Sequence, residues 1–255
     1  KRNRLCESGF SFEYSATFGQ AVHALSGAKQ KVLIDEYGKA TLFDYSYRYF
    51  YNDGYGKDYQ ILNLNEQWHE AGKEERVILY LTASLLSFYE QLLVFKENGK
   101  VIEPFLIDKP LAIFVGGKVT KSISKEIASD VVEVLKFLES FVKNEFLTIE
   151  RIKLLLEARD GLNNEMGHSI FRNAFKEIRK SGRAASSVFQ DVLKEVFNSE
   201  VAGASLHIDN LKGQDGEIGL RIGNADYFGV INVGDDKGLL KICEAHKMLV
   251  DEKDF

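Results

Sequence analysis

The sequence predicts an α/β fold, because short apolar runs that suit buried strands alternate with segments of helical periodicity. Phe10 to Ala16 is one such run, and Gly19 to Leu25 has the spacing of a short helix that returns from it. A second run, Leu111 to Val115, ends at two glycines and is typical of a parallel strand buried on both faces. Apolar residues at helical spacing between Trp68 and Phe95 predict a long amphipathic helix.

The second half of the chain predicts a group of helices followed by strands. The helices are expected at Ser129 to Lys143 with Ser129 or Asp130 as cap, Leu147 to Ala158 with Thr148 as cap, Ser169 to Ile178 and Ser186 to Phe197. Strands are expected at Ala204 to Ile208, Glu217 to Ile222 and Phe228 to Val233, the first two joined as a hairpin across Lys212 to Gly216, before a last helix at Gly238 to Leu249.

The middle of the first half is harder to assign. Val32 to Tyr51 suits either a strand or a packed connector, and the turn signal Asn52-Asp53-Gly54 ends it. The only two prolines, Pro104 and Pro110, bracket a connector typical of a passage between domains. We therefore expect domains at residues 1–103 and 104–255, the second with a helical insert at about 145–200.

Composition limits the classes of function. With 45% apolar and 12% aromatic residues the chain predicts a globular protein, and its net charge of -5 excludes a protein that coats nucleic acid over its whole surface. Any DNA contact must be local. The two cysteines, Cys6 and Cys243, lack metal spacing, and we expect no membrane-spanning run and a cytoplasmic location. The start at Lys1 without an initiator Met leads us to expect a fragment.

Four segments, taken in order, are similar to a known family. They are Glu13 to Phe18, which contains Ser-Ala-Thr, Asp44 to Tyr59, Pro110 to Thr120, and Tyr227 to Asp235. This order resembles the restriction subunit of type III restriction-modification enzymes and related superfamily 2 DEAD/DEAH-type helicases. The similarity extends over nearly the whole chain and is loosest between Ser129 and Val201.

The resemblance implies the end of one RecA-like lobe and much of a second RecA-like lobe, from the middle of an ATP-driven DNA translocase. In that family the ATP-binding lobe begins before the Ser-Ala-Thr strand, and further arginine motifs follow the point reached here. ATP and Mg would then be bound mainly by parts of the parent protein outside this chain. Double-stranded DNA and a modification (methyltransferase) subunit are the implied partners, with no membrane, and any nuclease centre would lie in another domain.

Ser15, Ala16 and Thr17 form the tripeptide that such ATPases use to couple ATP turnover to DNA movement. Two small hydroxyl groups at a strand end can hydrogen-bond to acidic groups of a neighbouring nucleotide site. The alternative is a strand end whose hydroxyls only cap the next helix.

The aromatic stretch from Asp44 to Tyr59 is a candidate DNA contact. It interleaves seven aromatic residues with Arg48 and Lys57, so it could stack bases and contact phosphates. The alternative is a buried aromatic connector in which Arg48 pairs with Asp44, Asp53 or Asp58.

Gly116, Gly117, Lys118 and Thr120 resemble a phosphate loop only superficially, because the glycine spacing is absent and Val119 replaces the hydroxyl that binds magnesium. In similar helicases this position meets the DNA backbone, and a glycine turn beside a lysine suits a phosphate. A plain strand-to-loop transition is the alternative. Without a P-loop, we expect no ATP hydrolysis by this chain alone.

No metal site is predicted, since Glu165 and His168 have helical spacing but no third ligand close in sequence. Two rival functions stay open. One is a non-catalytic module that docks a partner subunit, marked by an exposed apolar patch on the helical insert. The other is an unrelated α/β enzyme, marked by a closed pocket with convergent titratable groups.

Overall fold

The chain divides into two compact units, Lys1–Leu62 and Asn63–Phe255. The computed structural model describes residues 8–10, 12, 14–15, 18–43, 45–56, 73–115, 125–164, 166–211 and 216–253. These residues contain ten helices and a four-stranded sheet, which confirms a mixed α/β chain. The boundary predicted between residues 103 and 104 lies inside the second unit. It falls within a 3-10 turn, Glu103–Phe105, that contains Pro104.

The first unit is helical in its described part. Its helices are α1 (Phe18–His23), α2 (Gly27–Tyr37) and α3 (Tyr47–Asn52), with a 3-10 turn at Gly38–Ala40. None of its described side chains is buried. The helix predicted at Gly19 to Leu25 is confirmed as α1, and the predicted turn after α3 is confirmed by Gly54 at φ +85°.

The strand predicted at Phe10 to Ala16 is wrong for the residues that the structure describes there. Phe10, Phe12 and Tyr14 are 82%, 64% and 94% exposed, and none belongs to a strand. The rings of Phe10 and Phe12 pack edge to face at 5.3 Å instead. Aromatic alternation alone does not make a strand, because a strand also needs a hydrogen-bonded neighbour, and no described strand pairs with this run.

The second unit begins with helices, of which the first is the longest. They are α4 (Lys73–Glu97), α5 (Gly99–Ile102), α6 (Lys125–Lys143), α7 (Glu145–Leu156), α8 (Lys176–Lys180) and α9 (Ala185–Phe197). The buried side chains of α4, including Leu86 and Tyr89, pack where α7, α8 and α9 meet it. Ile152, Phe171 and Phe189 complete this core with no exposed surface.

Helix α4 is also long and apolar enough, over Glu74–Glu97, to cross a membrane by composition. The expectation that the chain contains no apolar run long enough to cross a membrane is therefore wrong. Leu79, Ala83 and Leu86 are buried, and α4 packs against neighbouring helices of the second unit.

The sheet lies in the last quarter of the chain, with strand order β3-β2-β1-β4. Its strands are β1 (Leu206–Leu211), β2 (Glu217–Ile222), β3 (Gly229–Asn232) and β4 (Leu249–Lys253), and helix α10 (Asp236–Ala245) precedes β4. β1 pairs antiparallel with β2 and parallel with β4, and β2 pairs antiparallel with β3. The predicted hairpin of the first two strands is confirmed.

Several boundaries differ from the predictions. Leu111 to Val115 forms no strand and is exposed, with Leu111 at 78% and Val115 at 82%, since no described strand lies beside it to bury both faces. Ser169 to Ile178 is mostly turns, and only Lys176–Lys180 is helical. The last predicted helix ends at Ala245, and β4 was missed because its Val-Asp-Glu-Lys residues are too polar to resemble a buried strand.

The predicted helix caps are also wrong. Helix α6 begins at Lys125, so Ser129 and Asp130 lie inside it. Thr148 lies in the first turns of α7, where its buried hydroxyl donates to the Phe141 carbonyl at 3.0 Å and ties α7 to the end of α6. Asp235, which was not predicted as a cap, accepts a hydrogen bond from the Gly238 amide at 2.9 Å and begins α10.

Candidate functional site

The first candidate site is the aromatic segment, defined as residues 43–55 in the described part of the first unit. Helix α3 presents Tyr47, Phe50 and Tyr51, and Tyr45 and Tyr55 flank it. Ring centroids lie 5.7–6.4 Å apart along the chain of contacts from Tyr45 through Phe50 to Tyr47 and Tyr55. The rings thus form a continuous cluster within hydrophobic and edge-to-face contact range.

The rings of the aromatic segment are exposed, which disagrees with the interpretation as a buried connector. Every described aromatic side chain from Phe43 to Tyr55 keeps at least 39% of its surface accessible. A buried connector would have lost most of that surface. An exposed set of rings is instead available to stack on planar groups of a ligand.

Arg48 lies on α3 within this segment, next to Tyr49, which is 51% exposed. Asp53, one of its predicted partners, accepts a hydrogen bond from the Tyr45 hydroxyl at 2.6 Å, and this bond raises the pKa of Tyr45. Arg48 forms no salt bridge with any described carboxylate, while the two other predicted partners, Asp44 and Asp58, lie outside the described residues.

The remaining predicted site residues are only partly described. Ser15 lies in a stretch without regular structure, whereas Ala16, Thr17, Lys57, Gly116, Gly117, Lys118 and Thr120 lie outside the described residues. The coupling and DNA-contact roles of these residues therefore stay predictions. Of that set, Ser15 and Arg48 are described, and Arg48 lies beside exposed rings.

The second candidate site, missed by sequence reasoning, is the sheet ion network formed by His207, Asp209, Arg221, Tyr227 and Asp251. The Asp209 carboxylate has no exposed surface and accepts from Arg221 Nε at 2.6 Å and Nη2 at 3.3 Å, and from the Tyr227 hydroxyl at 2.9 Å. Arg221 Nη2 also reaches Asp251 Oδ2 at 3.2 Å, and His207 Nδ1 lies 2.9 Å from the same oxygen.

The sheet places these groups by register. His207 is directly opposite Arg221 on the neighbouring strand, and Asp209 is directly opposite Asp251 on the other side. His207 and Asp209 are two residues apart, so their side chains lie on one face of β1. The sequence signal that could have revealed the network is Arg221, a charged residue at a buried position of the predicted strand Glu217 to Ile222.

The same residues raise the question of a metal site. One donor atom each from His207, Asp209 and Asp251 lies within 4.8 Å of the others. However, both Asp209 oxygens already accept from Arg221, whose positive charge occupies the space between the two carboxylates. A divalent cation would have to displace a 91%-buried guanidinium, so the donor set fits an internal ion pair better than a metal.

Four basic residues, Lys176, Arg179, Lys180 and Arg183, lie close together in sequence, and two of them have structural roles. Arg179 donates to the carbonyl oxygens of Leu155, Leu156 and Ala174 at 2.6–3.0 Å and so holds the end of α7. Arg183 pairs with Asp191, which also accepts from the buried Tyr89 hydroxyl at 3.1 Å. Burial, followed by the charge of Asp191, raises the pKa of Tyr89.

Comparison of the chain with protein-family models, curated proteins and solved structures gave no significant match.

Proposed function

We propose that this chain is part of the DNA-translocating motor of a protein similar to the restriction subunit of type III restriction-modification enzymes. The proposal starts from the order of the four sequence segments that resemble this family. The structural observation that carries it furthest is the exposed aromatic segment with Arg48 among its rings. Exposed rings beside a cation are the chemistry that proteins use to hold nucleic-acid strands.

In this proposal the described α/β elements belong to the end of one RecA-like lobe and much of a second. Ser15 and Thr17 link the nucleotide state to lobe position, and the segment from Gly116 to Thr120 contacts a backbone phosphate. ATP and Mg are bound mainly by other parts of the parent protein, which works in the cytoplasm on double-stranded DNA with a modification subunit. The chain alone does not hydrolyse ATP.

The first test concerns DNA binding by the 255-residue chain, measured by fluorescence anisotropy with single-stranded and duplex 20-mers. We expect Arg48→Gln with Tyr49→Ala to weaken binding of the single strand by about 5- to 100-fold, because stacking of one base contributes about 1–3 kcal/mol. The matched control is Lys29→Gln with Phe105→Ala, which removes one exposed cation and one exposed ring outside the segment.

The second test concerns coupling and uses the complete parent polypeptide. Thr17→Ala should lower DNA-stimulated ATP turnover, or separate that turnover from DNA movement, while leaving protein folding unchanged. If ATP turnover and DNA movement were both unchanged, Thr17 would have no coupling role.

In the DNA-binding test, equal affinity of the Arg48→Gln, Tyr49→Ala variant and of its control would show that the aromatic segment has no role in binding.

One observation favours the alternative function, a module that docks a partner subunit. Within the predicted helical insert, Phe146 and Leu147 at the start of α7 are 75% and 50% exposed. Large apolar side chains at the surface are typical of interaction sites when they are adjacent. If Phe146→Ser with Leu147→Ser abolished binding of the modification subunit while DNA binding was retained, docking would be the main role of this region.

A further inference from the structure

The connection between α7 and α8, residues 157–175, of which all but Glu165 are described, forms a loop with its own hydrogen bonds. Its two halves meet at an antiparallel bridge between Asn163 and Ser169. The Asn164 side-chain oxygen accepts from the amides of Met166 and His168 at 3.0 and 3.1 Å. The turn is therefore fixed by contacts inside the loop and does not depend on a ligand for its shape.

Asp160 and Arg179 stabilise this loop through hydrogen bonds. The Asp160 carboxylate, only 8% exposed, accepts from the Leu162 amide and the Ser169 hydroxyl at 2.8 and 2.7 Å. Arg179 donates to the Arg172 and Ala174 carbonyls at 2.8 and 2.6 Å. Because the described acceptors of Arg179 are all carbonyl oxygens, its positive charge is not neutralised by a carboxylate bonded to it.

The same loop lines an open cleft of about 460 Å³. Its lining includes the side chains of Arg159, Asn163, His168, Ser169 and Arg172, together with Gly161 and Gly167. The described residues that line the cleft thus carry two guanidinium groups, one imidazole and one amide, and none of these described residues is acidic. The volume is within the range of small-ligand sites.

The charges around the cleft are incompletely paired. Arg159 contacts Glu157 at 3.2 Å, but its side chain is 67% exposed, so this surface pair is weak. Arg172 is exposed and forms no salt bridge with a described carboxylate. The carboxylate of Asp160, which is bonded to Ser169 in the lining of the cleft, already has a donor on each of its two oxygens.

The loop backbone also has features of a functional site. Ala158, at one end, has φ +53°, and Phe175, at the other end, has φ +58°, a region that costs non-glycine residues free energy. Gly161 and Gly167 have φ values of +72° and +76°, and a Cβ added at either would meet nothing within 4 Å. The rim of the cleft is therefore open and lined by bare backbone, which lets a ligand approach closely.

We propose that this loop cleft binds a phosphate group. The guanidinium groups of Arg159 and Arg172 match the oxygens of a phosphate in geometry and charge, and the imidazole and amide side chains add donors. The phosphate belongs either to a nucleic-acid backbone or to a small phosphorylated ligand. Only the first of these rests on the proposed function, since it would give the translocase a phosphate contact remote in sequence from the aromatic segment.

The test uses the 255-residue chain and two probes, a 20-base-pair duplex and inorganic phosphate. The site variant is Arg159→Gln with Arg172→Gln, and the matched control is Lys153→Gln with Lys194→Gln, which removes the same charge from exposed helix positions of the same unit. For a backbone phosphate we expect the site variant to bind the duplex at least about 10-fold more weakly. The slope of log affinity against log salt should fall by about one to two units.

A small phosphorylated ligand would give a different pattern. Inorganic phosphate would then shift the amide NMR signals of Gly161 and Gly167 in wild type but not in the site variant, with duplex binding equal in the two. If neither probe distinguished the site variant from its control, the proposal would be wrong. Arg159→Lys with Arg172→Lys retains the charge and should recover part of the affinity, while thermal unfolding checks that all variants fold.

This outcome is separable from that of the proposed function. The phosphate-binding measurements test Arg159 and Arg172, whereas the measurements on the translocase proposal test Arg48, Tyr49 and Thr17. A chain that failed those tests could still bind phosphate at the loop cleft.

Discussion

The buried pair of Asp209 and Arg221 shows how much one contact in this chain depends on its partner. Asp209 has no exposed surface and Arg221 has 7%. Two charges at that depth are costly to desolvate, and each is tolerated because the other lies within 2.6 Å. The pair therefore stabilises the sheet mainly by preventing an isolated buried charge.

Arg221→Met should destabilise the second unit by about 3–5 kcal/mol, because it leaves the Asp209 carboxylate buried with only Tyr227 as side-chain donor. The measurement is the free energy of unfolding in urea. Asp209→Leu combined with Arg221→Met should recover most of that loss, since both charges are then absent. A double variant as unstable as the single one would contradict this account.

The sequence made part of this network predictable. Once the hairpin of β1 and β2 is assigned, its register puts His207 opposite Arg221. The involvement of Asp251 could not be predicted, because it depends on β4, whose polar sequence gives no apolar alternation. Edge strands often carry charged residues that discourage pairing with other chains. These residues interrupt the alternation of apolar and polar residues by which a strand is recognised.

At the scale of elements, helices were predicted more reliably than strands. Helices α4, α6, α7 and α9 each have a long apolar stripe, and all four were predicted close to their observed bounds. Leu111 to Val115 was not a strand, although its composition suits one. A run of five apolar residues does not contain the information on whether another strand will lie beside it.

The packing of Tyr227 on Gly219 joins β2 to the segment before β3. A Cβ added at Gly219 would lie 2.7 Å from the Tyr227 ring and 3.1 Å from Leu211. The glycine therefore leaves room for the ring, whose hydroxyl reaches Asp209. This is a strand glycine that is required by the close approach of a side chain.

Gly219→Ala should destabilise the protein by about 1–3 kcal/mol, because the added methyl group must displace the ring. Gly99→Ala is the control: a Cβ there meets nothing within 4 Å, and this helical position should tolerate alanine or gain stability. Urea unfolding checks both. In a Tyr227→Ala background the cost of Gly219→Ala should become small, and an undiminished cost would exclude the ring as its cause.

At the scale of the whole molecule, every buried side chain among the described residues comes from the second unit, between Leu79 and Met248. Besides buried charged residues such as Asp209 and Arg221, that core contains the Tyr89 hydroxyl and the Cys243 thiol. Burial raises the pKa of the Cys243 thiol from 9.0 to about 11. Stability should therefore depend on pH in the alkaline range.

The sign follows from proton binding. Above pH 9.0 the thiol of the unfolded chain ionises while the folded chain keeps its proton up to about pH 11, so rising pH favours the unfolded state. In a Cys6→Ser background we expect the free energy of unfolding to fall by up to about 1.4 kcal/mol per pH unit in this interval. Cys243→Ala should be less stable at neutral pH but show a shallower decline. Equal slopes in both proteins would contradict this assignment.

The parallel pairing of β1 with β4 has a consequence for synthesis. β1 leaves the ribosome with its hairpin partner, but Leu249–Lys253 emerges about forty residues later, after β3 and α10. Until then one side of β1 has a row of unpaired amide and carbonyl groups, and a nascent chain in that state can add a strand from another chain. A released chain that ends at Met248 should therefore aggregate more readily than one that continues through Lys253, because only the longer chain contains β4 to pair with β1.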